Sequence, residues 1–413
     1  MAFQTGLSGL NASSKNLDVI GNNIANANTT GMKSSRAEFS DLVASSIGVG
    51  HGNNAGLGVA VDTIAQQFSQ GTISITGNTL DVAVNGAGFF PLQMPDGTIA
   101  YTRAGNFKMD NTGTIVTNSG AKVLGYPTTT AGVATSTTAR PLVMPTGAPI
   151  PAQTTTSITA QFNLNASASS VYNAVTNTPP YTTYGTALNV FDSQGASVPF
   201  TMNFTRAAAT VGPPALDNWQ VRDSAGALLL DTGGNPITLS FDTTGALVAP
   251  VVNPSVSIAT PSPTTPNIVT TLNFSGATQF AASFGVTDLT QNGYTAGSFV
   301  GMRIAETGVI TARYSNGQTQ ANGMLALADF RNLQGLAPVG GNNWAETYAS
   351  GQPLMGQPGQ GKFGVTRAGA LEDSNVDLTA ELVNMMTAQR AYQANAQTIK
   401  TQDQVLQTLV NLR

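Results

Sequence analysis

Apolar residues recur at every seventh position near both ends of the chain: Phe3, Leu10, Leu17 and Ile24 in one run, Leu378, Met385, Tyr392, Ile399 and Leu406 in the other. Secondary positions interleave, Leu7, Ser14 and Gly21 in the first and Leu382, Gln389, Ala396 and Val410 in the second. A seven-residue repeat lays one apolar stripe along a helix, and a stripe has to be buried against another helix. The pattern predicts two terminal α-helices, in residues 1–28 and 375–413, brought together as a coiled-coil-like assembly domain. Everything between them becomes an inserted loop of domains. Gly6, Gly9 and Gly21 each cost about 1 kcal/mol relative to Ala, so the first helix is expected to gain order only when its stripe finds a partner. A lone two-helix hairpin would leave the small-residue faces at Ala12, Ala25, Ala27, Ala388, Ala391 and Ala394 uncovered. That favours association with further copies, a homo-polymer.

Between the helices the period falls to two. Ile73 and Ile75, then Leu80, Val82 and Val84, then Phe107 and Met109 alternate between turn signals, and the texture returns at Val300, Met302 and Ile304 and at Val309, Thr311 and Arg313. These runs predict strands, and the nesting of the termini assigns residues 71–144 and 290–364 to one discontinuous inner β domain. Cleaner alternation marks an outer β domain at 145–289: Ile158, Ala160, Phe162 and Leu164; Phe200, Met202 and Phe204; Ile237, Leu239 and Phe241. Asp-x-x-Gly sequences at Asp192–Gly195, Asp223–Gly226 and Asp242–Gly245 supply its hairpin turns. Residues 29–70 and 365–374 read as an extended connector, Gly-rich between Gly48 and Gly58. The expected fold class is α+β and multidomain, terminal helices enclosing two nested, mainly antiparallel β domains.

Composition narrows the function. Hydrophobic residues are 41% of the 413, yet charged residues are only 9% against about 25% in ordinary soluble proteins. The surface must therefore be built from Thr, Ser, Asn, Gln and Gly. A net charge of −4 with no basic run gives no phosphate-binding footprint, which argues against nucleic acid. With no cysteine there is no disulfide, thiolate metal site or cysteine nucleophile. No run approaches the ~18 apolar residues of a membrane span, so no membrane insertion is expected. The N-terminus does not read as a secretory signal, because its first basic residue is Lys15 and Ser8, Asn11, Ser13 and Ser14 interrupt any apolar run.

Candidate chemistry is sparse. His51 is the single histidine and sits in the Gly-rich connector, so no histidine pair or triad can form. The connector glycines match neither GxGxxG nor a Walker pattern, and the Asp-x-x-Gly turns lack the alternating ligands and distal Glu of a calcium loop. Glu372, Asp373 and Asp377 form the one small acidic cluster, placed to favour the positive end of the second helix, with Asn375 or Asp377 as its N-cap. No catalytic, cofactor-binding or metal-ligating residue is assigned.

Two long stretches carry a resemblance. SGLNASSKNLDVIGNNIANANTTGMK from Ser8 to Lys33, and SNVDLTAELVNMMTAQRAYQANAQTIKTQDQVLQTLVNLR from Ser374 to Arg413, are similar to the rod-and-hook family of bacterial flagellar axial proteins. NGAGFF at Asn85–Phe90 and TQNGY at Thr290–Tyr294 extend it more weakly. The resemblance implies a structural subunit of the flagellar hook, a curved tube that passes motor torque to the filament. It also implies export through the flagellar type III apparatus without a cleaved signal, an extracellular location, and axial partners at the distal rod, the hook cap and the hook–filament junction. Two alternatives are a distal rod subunit, disfavoured by the large insertion between Pro145 and Phe280, and a secreted β-rich adhesin, disfavoured because Trp219 and Trp344 lie far apart in sequence.

Overall fold

Apolar periodicity resolves into helices at the ends and sheets between them. A computed structural model describes residues 2–42, 58–147, 149–168, 183–210, 212 and 214–411. The terminal helices are α1, Ala2–Ala25, and α2, Leu378–Asn411. The chain divides into two compact units, Met1–Gly147 with Val300–Arg313 and Thr319–Arg413, and Ala148–Phe299 with Tyr314–Gln318.

In the first unit a single sheet is assembled from sequence-distant strands. Lys122–Tyr126 lies between Thr319–Leu325 on one side and Phe90–Gln93 on the other, and Ile99–Thr102 carries Asn343–Ala345 on its far edge. Its alternating residues converge on a core of Val82, Val84, Phe90, Leu92, Ile115 and Val123 with Ile310, Leu325 and Leu327. A smaller aromatic core sits beside it, where Phe89 meets Trp344 edge-to-face at 5.6 Å and Tyr101 meets Phe330 at 4.8 Å.

The stretches read as connector are more structured than the sequence suggested. Ser35–Leu42 pairs antiparallel with Gly58–Gln66, with a bulge at Glu38/Phe39. Short alternating runs separated by a Gly-rich segment hide such a hairpin, because nothing local fixes its register. Val365–Ala368 and Ala370–Glu372 are also strands, paired with Val82–Asn85 and Ile73–Ile75. His51, Gly48, Gly50, Gly52 and Gly56 lie outside the described residues.

The second unit is a β-sandwich. Its first sheet is organised around Ser157–Asn165, which runs antiparallel to Gly285–Gln291 and parallel to Ile268–Asn273 and Thr278–Phe280. The second is an antiparallel meander of Thr183–Phe191, Ser197–Arg206, Asp217–Arg222, Thr238–Phe241 and Leu247–Ala249. Strict alternation along Ser157–Asn165 sends Ile158, Ala160, Phe162 and Leu164 inward, where they pack with Phe204, Trp219, Leu239 and Phe241 of the other sheet. At the Asp turns the carboxylate organises the loop. Asp223 Oδ1 accepts from the N–H groups of Ala225 and Ala227 at 2.9 and 2.8 Å, and Gly226 takes the positive φ of 84° that a side chain would resist. This unit reaches beyond the 145–289 read from the sequence, to Phe299 and the Tyr314–Gln318 turn. The extension is held by bridges from Ile150 to Gly297 and from Gln153 to Tyr294.

Candidate assembly surface: the terminal helix pair

Of the two helices α1 carries the glycines that lower intrinsic helix stability, whereas α2, 34 residues long, has neither Gly nor Pro. Asp377 caps α2, its Oδ1 accepting from the N–H groups of Thr379 and Ala380 at 2.9 and 3.1 Å. The helices lie antiparallel: Gly6 faces Thr398 and Ile399, Gly9 and Ser13 face Asn395, and Asn23 reaches Glu381. Gly6 and Gly9 allow this close approach, whereas a Cβ on Gly21 would meet nothing within 4 Å. A Cβ on Gly9 would stand 2.9 Å from Asn395 Nδ2, and one on Gly6 would stand 3.2 Å from Ile399 Cγ1.

The stripe residues divide between two environments. On α1, Ala12, Val19, Ile20 and Asn23 are buried, Leu10, Leu17 and Ile24 are half-buried, and Leu7 is exposed. On α2, Ala388 is buried, and Met385 and Ile399 are half-buried. Leu378, Leu382, Tyr392 and Leu406 stay exposed, Leu382 and Leu406 by about half. The side chains of Phe3 and Val410 lie outside the described residues. Val383, Met386 and Val405 join the exposed set although heptad counting missed them. Spacing of four, Leu378 to Leu382 to Met386, would have found part of that row.

Polar anchors set the direction of both helices. Asn23, 1% exposed, exchanges two bonds with the Ser35 backbone, at 2.9 and 2.8 Å, and donates to Glu381 Oε1 at 3.1 Å. Asn375 is an anchor rather than the cap: its Oδ1 accepts from Ser34 N–H at 2.7 Å and its Nδ2 donates to the Gln67 carbonyl at 2.7 Å. Glu372 does not serve the helix dipole either. It is fully buried between Lys33, at 2.6 Å, and Arg103, at 3.2 Å. Burial lowers the pKa values of both cations, and the Glu372 charge opposes the shift. Sequence reasoning could not pair these three, because the residues between them run through several strands.

Among the described residues no cluster of three or more metal-binding side chains occurs, and no helix is long and apolar enough to cross a membrane. What the site offers is contact area.

Comparison with known proteins decides the family. The chain is 40% identical to the flagellar hook protein FlgE of Escherichia coli K12 over 421 residues, covering 100% of each chain. The chain belongs to the flagellar hook protein family. A hook protein of Treponema pallidum is 32% identical over 99% of this chain and 98% of its own. Residues 3–33 match the family described as flagella basal body rod protein and 367–412 the flagellar basal body rod FlgEFG protein C-terminal family. Residues 83–164 match the flagellar hook protein FlgE/F/G D1 domain and 163–294 the flagellar basal body protein FlaE D2 domain. The crystal structure of Helicobacter pylori flagellar hook protein FlgE2 shares the fold, with a TM-score of 0.53 at 16% identity over 72% of this chain and 100% of that one. As a hook-family member the chain is a structural component of the bacterial flagellum, and the rod and adhesin readings fit less well.

Proposed function

We propose that copies of this hook subunit polymerise through the exposed stripe of the terminal helix pair, forming a curved, flexible tube outside the cell that transmits torque from rod to filament. One observation carries the reading: α1 and α2 bury one face against each other, while α2 presents Leu378, Leu382, Met386 and Leu406 to solvent. A fully buried leucine contributes about 1.5–3 kcal/mol, so repeating such contacts along a tube favours the polymer strongly. Residues Phe3, Leu7, Leu10, Leu17 and Ile24, with Leu378, Leu382, Met385, Tyr392, Ile399, Leu406 and Val410, form the assembly set, those turned toward the other helix fixing the pair and those turned outward joining copies.

The role is mechanical, with no catalysis and no cofactor, and the partners are further copies together with the distal rod, hook cap and hook–filament junction. The subunit leaves the cell through the flagellar export apparatus without losing a signal peptide, and neither nucleic acid nor a membrane is a partner. Bending requires outer contacts to exchange cheaply during rotation. Uncharged Thr, Ser, Asn and Gln surfaces suit this, since their hydrogen bonds are worth about 1 kcal/mol or less each and favour no single register. The decisive experiment is Leu382→Asp examined by electron microscopy of purified protein. Tubes should vanish while the monomer keeps its β-sheet circular dichroism; tubes of normal yield would sink the proposal.

A further inference from the structure

Lys33, Arg103 and Glu372 do not belong to the stripe, yet they stand where both helices meet the β structure. Lys33 follows α1, Glu372 precedes α2, and Arg103 lies just beyond the Ile99–Thr102 strand. Every oxygen of the Glu372 carboxylate is engaged: Oε1 accepts from Lys33 Nζ at 2.6 Å and from Gly71 N–H at 3.0 Å, and Oε2 from Arg103 Nη1 at 3.2 Å. Lys33 also donates to the Ser69 carbonyl at 2.7 Å, and Arg103 donates to the Gly86 carbonyl at 2.7 Å with its guanidinium 5.2 Å over the Phe89 ring. The side chains of Lys33 and Glu372 are completely buried and that of Arg103 is 6% exposed.

A buried carboxylate between two cations is compensated only when all three are seated, and losing one member leaves an unpaired charge away from water. Here one cation arrives with the N-terminal segment and the carboxylate with the C-terminal one. We propose that Glu372 is a positioning residue for assembly: it clasps both chain ends, so that α1 and α2 take their seam orientation together or not at all. Asn375 and Asn23, bonded to Ser34 and Ser35, carry the alignment from the clasp into the helices. The proposal rests on the seam reading for its consequence in the polymer, but the docking of the helices can be followed in the monomer.

The chain has no cysteine, so Ser13→Cys with Asn395→Cys places one thiol pair where the two side chains now touch at 3.3 Å. Its rate of intramolecular crosslinking under a mild oxidant reports helix docking. Adding Glu372→Gln should slow crosslinking at least about tenfold, the scale set by leaving a buried charge unpaired, and abolish tubes. Glu372→Asp, which keeps the charge, should restore most of the rate. Thermal melting followed at Trp344 separates positioning from general stability. Unchanged crosslinking in Glu372→Gln, equal impairment by Gln and Asp, or loss of the Trp344 transition in step with the crosslink would each overturn the clasp. Should Glu372→Gln fail to fold, Lys33→Met, which leaves Glu372 with Arg103, must show the slowed crosslink with an intact Trp344 transition. Slow crosslinking with normal tubes would instead uphold the clasp and defeat the seam reading.

Discussion

The sandwich unit and the terminal helix pair are made from similar apolar residues but bury them to opposite degrees. Ile158, Phe162, Leu164, Phe204, Trp219 and Leu239 are at most 1% exposed, whereas Leu378, Leu382 and Leu406 are 42, 51 and 50% exposed. Two sheets facing each other close a core from both sides. In the terminal region α1 is touched both by α2 and by the Ser35–Leu42/Gly58–Gln66 hairpin, through Val59 to Ser8 and Ser35 to Asn23, whereas α2 keeps Leu378, Leu382 and Leu406 open. The sandwich unit closes its core within one chain, whereas the helix pair leaves apolar residues of α2 uncovered.

The sharpest way to break this contrast is Leu382→Asp, for which complete loss of polymer is expected with no shift in the melting of either β unit. A parallel fall in β melting would show that the two regions are not energetically separate. Next in size is Phe162→Ala in the sandwich core, where lost burial and a new cavity should cost about 3–5 kcal/mol. Chemical unfolding followed at Trp219, in a chain carrying Trp344→Phe, should shift accordingly while helix docking is unaffected.

A smaller effect concerns the ends of the monomer. Dilute protein should be cut by trypsin first at Lys15, Arg390 and Lys400, which are exposed on the helices. Arg367 should resist, because its strand is paired with Val82–Asn85 and followed by buried Glu372. Assembly into tubes should protect the helix sites. Early cleavage at Arg367, seen by mass spectrometry, would place the end of the folded core back near Gly364.

The smallest effect is acid sensitivity common to both units. Hydrogen bonds within their own turns hold four carboxyls below the usual range: from the Thr98 hydroxyl for Asp96, the Thr112 hydroxyl for Asp110, the Asn235 N–H for Asp231 and the Thr244 hydroxyl for Asp242. Because the folded pKa is the lower one, the stabilisation is fully present above the unfolded value of about 3.9 and is lost as pH falls through the folded value. Asp231→Asn with Asp242→Asn should flatten the acid dependence of the sandwich alone, measured by melting between about pH 5 and pH 2. An unchanged slope would remove the turns as its source.

Local patterns were the legible part of the chain. A period of seven or of two depends on the geometry of one segment, so the two helices, the strand at Ile158–Leu164 and the Asp-x-x-Gly turns could all be read directly. Less legible was which side of each helix would be covered. Ile399 and Leu406 share a heptad position, yet one is half-buried beside Gly6 and the other half-exposed, because antiparallel pairing that sets Ile399 opposite Gly6 carries Leu406 past the start of α1 at Ala2.

By itself, then, the sequence determined the element types, the nesting of β structure between paired termini, the absence of thiol chemistry and the flagellar resemblance. Tertiary structure alone decided the hairpin within the connector, the strands at Val365–Glu372, the reach of the sandwich unit to Phe299, and the meeting of Lys33, Arg103 and Glu372. The reason is physical: periodicity is written by neighbours along the chain, while a buried charge can be placed only where distant segments arrive together to satisfy it.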